Sequence, residues 1–466
     1  MKQTWVLPLA AALTVTLAAQ APQPAWLDGY RAPAQRIIAQ AQSSDFAWQR
    51  LAELTDRFGN RLSGSDSLEH AIDWAVATMK ADGLEKVHKE PVMVPKWVRG
   101  HESLDLVEPV RQPLVLLGLG NSVGTPPQGL EADVVVVKNY DDLTAHAADV
   151  KGKIVLLNVP FTTYGDTRPF RTDGPSRAAK LGAVGFLLRS IGPPGLRTAH
   201  TGALTYAAGV PAIPAAAIPT EDADRLQRLR DRGVTVRVRL TMEAHFDPDA
   251  QSYNVVGEWT GRERPTEVVV IGGHLDSWDV GAGASDDGGG CVVTWEALRL
   301  MKILNLRPRR TMRVVLFTNE ENGDRGGQGY RDAHAAELAN HVMMLESDGG
   351  VFDPAGFGFT FDPAKASKPG AAAAERAVRA IAGLLASIGA DAVTGDGGGT
   401  DIEPAATAGN IPMLSHNSTG EYFLIHHTPA DTVARILPTQ VARNAAAIAV
   451  MAYVIADLPF RLGADQ

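Results

Sequence analysis

Three segments decide how this chain is read: Val268-Val269-Val270-Ile271-Gly272-Gly273-His274-Leu275-Asp276-Ser277, Arg313-Val314-Val315-Leu316-Phe317-Thr318-Asn319-Glu320-Glu321-Asn322-Gly323 and Val342-Met343-Met344-Leu345-Glu346-Ser347-Asp348-Gly349. Each is a short apolar run that gives way to Gly, Asn, Asp or Ser, the pattern of a buried strand ending in a loop. The spacing predicts a helix from Gly288 to Leu304 between the first two strands and another around Tyr330 to Asn340 between the second and third. Strand and helix in alternation imply right-handed crossovers and an α/β fold whose central sheet is mixed but mostly parallel, covered on both faces. Ligands of such sheets bind beyond the carboxyl ends of the strands. His274, the pair Glu320 and Glu321, and Asp348 all emerge there, so they are read as one site.

Two further stretches extend it. Gly283-Ala284-Ser285-Asp286-Asp287-Gly288-Gly289-Gly290 lies between the first two strands, with glycines that allow close backbone approach and a helix start that can orient Asp286. Near the C-terminus, Ile425-His426-His427-Thr428-Pro429-Ala430-Asp431 offers imidazoles in a loop. Zinc takes imidazole nitrogen and carboxylate oxygen, and a catalytic zinc keeps three protein ligands and one open position. Two zinc ions need six coordination points, which His274, Asp286, Glu321, Asp348 and His427 supply if Asp286, on the flexible loop, bridges. Two Zn²⁺ against three carboxylates and one hydroxide form a neutral cage, and an unbalanced buried charge is costly. Glu320 is then free to act as proton shuttle. Asp276 can accept the second N–H of His274 and fix its tautomer. His426 reads as a surface or supporting imidazole. Taken singly, these residues would read as a loop histidine, a solvated glutamate pair and turn aspartates; their coincidence at successive strand ends is what argues for chemistry.

The remaining sequence bounds the class. At 466 residues, 45% hydrophobic and 21% charged, the chain has globular composition and length for two or three domains. A net charge of −9 without a basic block excludes the electrostatic footprint of a nucleic-acid binder. Lys2, the apolar run from Trp5 to Ala19 and the small residues around it read as a secretory signal over residues 1–21. Gln20 stands where a lipid-anchored precursor would need cysteine, so a secreted or periplasmic protein without a membrane anchor is expected. Cys291 is the only cysteine, which rules out an intrachain disulfide, and it is read as a buried packing residue. Leu51, Leu54, Ile72, Ala75 and Met79 predict two amphipathic helices between Phe46 and Leu84, broken by the turn at Gly59 to Ser65. From about Leu117 to Ala244 the texture changes to strand-like Ala132 to Val137, Lys153 to Leu157 and Ala183 to Leu188 with long Gly/Pro-rich connections. This is read as an inserted α/β domain, residues 117–244, with 22–116 and 245–466 forming the catalytic unit.

The site residues resemble the zinc aminopeptidase and glutamate carboxypeptidase family of co-catalytic metallopeptidases. The matching segments are Gly272 to Gly281, Asp286 to Gly290, Thr318 to Glu321, Glu346 to Gly349, Gly399 to Pro404 and His426 to Asp431, and Gly59 to Gly64 is similar to the start of that family's catalytic domain. The resemblance implies a phosphorylase/hydrolase-like zinc peptidase domain in which His274 and Asp348 hold one zinc, Glu321 and His427 hold the other, Asp286 bridges and Glu320 is the base. It also implies a cis peptide between Asp286 and Asp287, and a protease-associated domain over residues 117–244, to which no catalytic residue is assigned. The implied activity is hydrolysis of dipeptides or short peptides at a chain end, with a homodimer left open. Two other readings stand beside it: a zinc amide hydrolase of acylated or amidated amino acids, and a non-catalytic, receptor-like relative. Contacts to a substrate terminus are expected near Ser415 to Thr419, with Asp401, Glu403 and Glu421 as candidates to hold a free amine.

Overall fold

Strands that are apolar on both faces are stable only where both faces are covered, and the chain builds its centre from such strands. A computed structural model describes residues 24–362 and 368–463; the signal expected over residues 1–21 lies outside the described residues. After β1 (Glu85–Val98) the chain enters a smaller layer through β2 (Glu102–Glu108), β3 (Gln112–Leu114), β4 (Leu117–Gly118), β5 (Leu130–Val137), β6 (Ile154–Leu157), β7 (Gly185–Arg189), β8 (Ala215–Ile218) and β9 (Arg237–Met242). It returns through β10 (His245–Trp259) to β11 (Arg264–His274), β12 (Arg310–Phe317), β13 (His341–Glu346), β14 (Asp353–Thr360), β15 (Ala392–Thr394) and β16 (Met413–Thr419).

The larger sheet has the order β1-β10-β12-β11-β13-β16-β14-β15. Its four central neighbours, β12, β11, β13 and β16, are mutually parallel, and antiparallel pairings join β10 to β12 and β14 to β16. Along β11 the side chains alternate between two cores, as the twofold repeat of a strand requires. Val269 and Ile271 pack toward the helices Phe46–Phe58, Gly289–Ile303 and Pro438–Asp457, while Val268 and Val270 pack with Phe317, Tyr330 and Ile402 on the other face. The Pro438–Asp457 helix is long and apolar enough to cross a bilayer, yet it is packed inside the first of these cores.

Two expectations are corrected. The helix expected around Tyr330 to Asn340 runs Arg325–Ala333 and is followed by a short turn, Leu338–Asn340. Gly326 and Gly327 lie inside the helix because it passes hard against the backbone of the site. A Cβ at either position would come 2.3 Å from the carbonyl oxygen of Thr318 or of Asp401. The second correction concerns the smaller layer, expected to start at 117. Its sheet, β3-β2-β9-β5-β6-β7-β8-β4, starts at Glu102. Leu104 and Leu106 of β2 alternate into its core, and β2 pairs antiparallel with β9.

Two buried polar networks brace the larger layer. In the turn before the Asp66–Ala81 helix, Arg61 is fully buried and donates to the carbonyls of Leu275, Gly59, Ala282 and Gly283, tying its own turn to the loop that follows β11. On the opposite flank, His334 lies 2.8 Å from Glu90 of β1 and 2.5 Å from Glu337, in a network with Arg313, Tyr330 and His341. Burial disfavours charge on His334, but Glu90 and Glu337 outweigh it and hold the imidazole above its ordinary range.

Arg61→Ala removes the donor from four carbonyls and should destabilise the protein by about 2–4 kcal/mol in urea unfolding, where an exposed pair such as Arg31 with Asp28 is worth under about 1 kcal/mol. The raised histidine gives a pH dependence of definite sign. Its contribution is complete below the unfolded pKa and is lost as pH rises through the folded one. The stability advantage of wild type over His334→Gln should therefore shrink as pH rises above about 6.5, the ordinary histidine value; an advantage that grows with rising pH contradicts the assignment.

Candidate metal centre

Because β12, β11 and β13 run parallel, their carboxyl ends meet at one rim. β11 ends at His274, β12 runs into Thr318-Asn319-Glu320-Glu321, and β13 runs into Ser347-Asp348. The turn after β12 is sharp. Asn319 takes the left-handed conformation (φ 65°, ψ 37°), which asparagine tolerates better than most side chains. Its amide nitrogen donates to Ser63 at 3.0 Å and to Asn322 at 2.7 Å, so the strain is held in place.

All five expected ligands converge. His274 Nε2 lies 3.3 Å from Asp286 Oδ1 and 3.4 Å from Asp348 Oδ1. His427 Nε2 lies 3.2 Å from Asp286 Oδ2 and 3.2 Å from Glu321 Oε2. Asp286 thus presents one carboxylate oxygen to each imidazole, the arrangement a bridging ligand requires. The peptide between Asp286 and Asp287 is cis. Glu320 and Glu321 line the same cavity as Asp286, Asp348 and His427.

The expected role of Asp276 is corrected in its atoms. The Nδ1 of His274 lies 3.0 Å from the main-chain carbonyl of Asp276, against 3.8 Å from its carboxylate. The tautomer is still fixed, leaving Nε2 to face the cluster, but the Asp276 carboxylate is engaged elsewhere. It accepts the amides of Glu320 (3.1 Å) and Glu321 (3.3 Å) and the Ser63 hydroxyl (3.2 Å), and so aims Glu320 and Glu321 together.

Asp431 and Asp287 carry no role from sequence, and His426, read as a surface or supporting imidazole, is buried and supporting. Asp431 accepts the amides of Ser285 (2.7 Å) and Asp286 (3.1 Å) and thereby orients Asp286, a task expected of the helix start. Asp287 accepts the amides of His274 and Gly290, each at 3.0 Å. His426 stacks on His427 with ring centroids 3.5 Å apart and brings its Nε2 to 3.5 Å from Asp286. Only their place in the Asp-Asp-Gly and His-His-Thr-Pro-Ala-Asp segments could have flagged them. The stretch Ser415 to Thr419 is corrected too: it forms β16, with His416 bonded to Ser347, and the cavity lining among the described residues includes none of it. Asp401, Glu403 and Glu421 do not line the cavity either, and Glu421 pairs with Arg435 at 3.0 Å.

The electrostatics show an excess of buried negative charge. Burial alone would raise Asp286, but His274 and His427 hold it well below the usual carboxylate range. The other acids go the opposite way. Burial and the Asp286 carboxylate push Glu321 and Asp431 up to about 7, burial and Asp348 push Glu346 up to about 8, and Glu320 is held well above its ordinary range by burial and by Asp348 and Glu321. Within the cluster, His274 Nε2, Asp286 Oδ2 and Glu321 Oε1 are buried without a hydrogen-bond partner. Such orphaned atoms cost about 1–3 kcal/mol each unless something satisfies them. Imidazole nitrogens and carboxylate oxygens converging at these distances are the donor set that zinc satisfies. The residues therefore fit the metal.

A cavity of about 430 Å³ opens over the cluster. Its far wall comes from the smaller layer, with Asn121, Tyr164, Arg168, Arg171, Ala203 and Thr205 facing Glu320, Asp348 and His427.

Residues 254–452 match the model of peptidase family M28. Carboxypeptidase Q of Homo sapiens is 42% identical over 422 residues, covering 91% of this chain and 88% of the relative, and that of Xenopus laevis is 41% identical, covering 93% and 91%. Among solved structures, a peptidase M28 precursor from Shewanella amazonensis superposes with a TM-score of 0.88 at 36% identity, covering 94% of this chain and 98% of that one. A zinc aminopeptidase from Bacillus subtilis shares the fold at 19% identity, with a TM-score of 0.64 over 90% of this chain and 96% of that one. An α/β chain with this sheet, a rim fitted for zinc and relatives of this identity along most of its length belongs to peptidase family M28 and is a zinc metallopeptidase.

Proposed function

We propose that this protein is an exported exopeptidase that holds two zinc ions and cleaves dipeptides or short peptides at a chain end. The observation that carries the reading is the Asp286 carboxylate, with one oxygen 3.3 Å from His274 and the other 3.2 Å from His427. One ion would be held by His274 and Asp348, the other by Glu321 and His427, with Asp286 shared. When bound, the ions supply Lewis acidity at the scissile carbonyl and make water a usable nucleophile near neutral pH.

The side chains do the rest. Asp431 and Asp276, by gripping backbone amides, hold Asp286, Glu320 and Glu321 in fixed relation. Glu320, beside the ligands but not required among them, takes a proton from the attacking water and returns it to the departing amine. The cavity, about 430 Å³, is close to the lower end of small-ligand pockets and suits a short peptide rather than a folded protein. The smaller layer, from β2 to β9, closes the far side and excludes bulk water, the role we assign to it as a protease-associated domain. The N-terminal signal read from residues 1–21 would place the activity in the periplasm or outside the cell.

Glu320→Gln keeps the shape and removes the proton acceptor. It should retain zinc by elemental analysis while kcat falls by about 10²–10⁴-fold; a near-normal rate with zinc bound would show that another group is the base. The substrate class is tested with free dipeptides against N-acylated and C-amidated versions. Chelator-sensitive hydrolysis of the free dipeptides is expected. Turnover confined to the blocked compounds would instead make the protein an amide hydrolase of modified amino acids.

A further inference from the structure

His427 reaches the cluster from a loop with a φ of 60°, a conformation that a histidine holds only when its surroundings enforce it. The enforcing contacts come from the smaller layer. The amide of Thr201 donates to the His427 carbonyl at 3.0 Å, and the Thr201 carbonyl lies 3.3 Å from His427 Nδ1. Beside it, the buried Arg171 spreads its guanidinium over the same segment. Nε donates to the Ala203 carbonyl at 3.1 Å, Nη1 to the Thr201 carbonyl at 3.4 Å, and Nη2 to the Tyr164 hydroxyl at 2.9 Å.

The chemistry of Nδ1 makes this arrangement consequential. A carbonyl can only accept and a guanidinium can only donate, yet Nδ1 has both within reach, with Arg171 Nη1 at 3.4 Å. If Nδ1 donates to Thr201, the Nε2 lone pair faces Asp286 and Glu321 and can ligate. If Nδ1 accepts from Arg171, the proton sits on Nε2 and the ligand is lost. The shorter contact is to the carbonyl, which Nη1 itself also holds at 3.4 Å, while Nε and Nη2 anchor the guanidinium on Ala203 and Tyr164. The packing leaves little slack: Gly202 has a φ of 126°, and a Cβ there would lie 2.1 Å from Arg171 Nη1 and 2.8 Å from His427 Nδ1.

We propose that Arg171, Thr201 and Gly202 are positioning residues of the metal centre. They fix His427 as a ligand through its Nδ1, so that the zinc shared by Glu321 and His427 binds tightly only while the smaller layer is docked on this loop. The inference rests on the two-zinc reading above. It extends that reading by making the layer that walls the cavity also a support for one metal site.

Zinc affinity is measured by competition with a chromogenic chelator on the full-length protein, with far-UV circular dichroism as the check on folding. In Arg171→Met, one of the two equivalents should weaken by at least about tenfold, the low end for a lost support of a metal-bound histidine, while the other is held as in wild type. Arg171→Lys, which keeps the charge but cannot span three acceptors, should recover only part of the loss. Gly202→Ala should reproduce it while every ligand residue keeps its identity, because the added Cβ crowds Arg171 and His427 Nδ1. Wild type with two equivalents, together with Arg171→Met and Gly202→Ala holding both as tightly, overturns the inference alone. A wild type that binds a single equivalent removes the two-zinc reading, and the inference with it.

Discussion

A single carboxylate, that of Asp286, stands between two imidazoles that arrive from opposite directions, and the rest of the structure is arranged to keep it there. A buried anion is tolerable only when it is paired and hydrogen-bonded. Here the surrounding carboxylates of Glu321, Asp348, Glu320 and Glu346 outnumber the imidazoles, and burial together with their mutual repulsion drives all four up in pKa. Zinc resolves that conflict, because its charge offsets the acids and its coordination satisfies atoms that no hydrogen bond reaches.

The fold meets the constraint by dividing labour between sheet and loops. Parallel strands bring His274, Glu321 and Asp348 to one rim without the long reach that flexible side chains would need. The loops that add Asp286 and His427 have no such frame and are held by side chains acting on backbone amides and carbonyls. Asp431 grips the Asp286 turn, Asp276 grips the Glu320–Glu321 turn, and Arg61 ties the carbonyls of the segments around them. A ligand displaced by a fraction of an ångström weakens coordination, so these braces matter as much as the ligands.

The part of this design carried by strand ends was legible in the sequence. His274, Glu320, Glu321 and Asp348 each follow an apolar run, and hydrophobic periodicity marks such runs directly. What acts through the backbone was not. An aspartate that accepts two amides looks like any turn aspartate, so Asp431 and Asp287 carried no assigned role, and the Asp276 carboxylate was assigned the wrong partner. The helix begins at Arg325, ahead of the start expected near Tyr330, where Gly326 and Gly327 let it pass against a backbone that no local pattern shows. Ser415 to Thr419, polar at every position, suggests contacts to a substrate terminus, yet it belongs to the strand β16. The contacts of Thr201 and Arg171 with His427 join residues more than two hundred positions apart, which no local pattern encodes.

The smaller layer is therefore more than a cover: it lines the cavity and touches the one histidine that no strand of the larger sheet delivers. The central claim, that Asp286 is shared by two zinc ions, is tested most directly by anomalous diffraction at the zinc absorption edge from crystals of the metal-loaded protein. The account predicts two peaks on either side of the Asp286 carboxylate, one against His274 and Asp348 and the other against Glu321 and His427. A single peak, or a peak bound by His426 with Asp286 left to one ion, would contradict it.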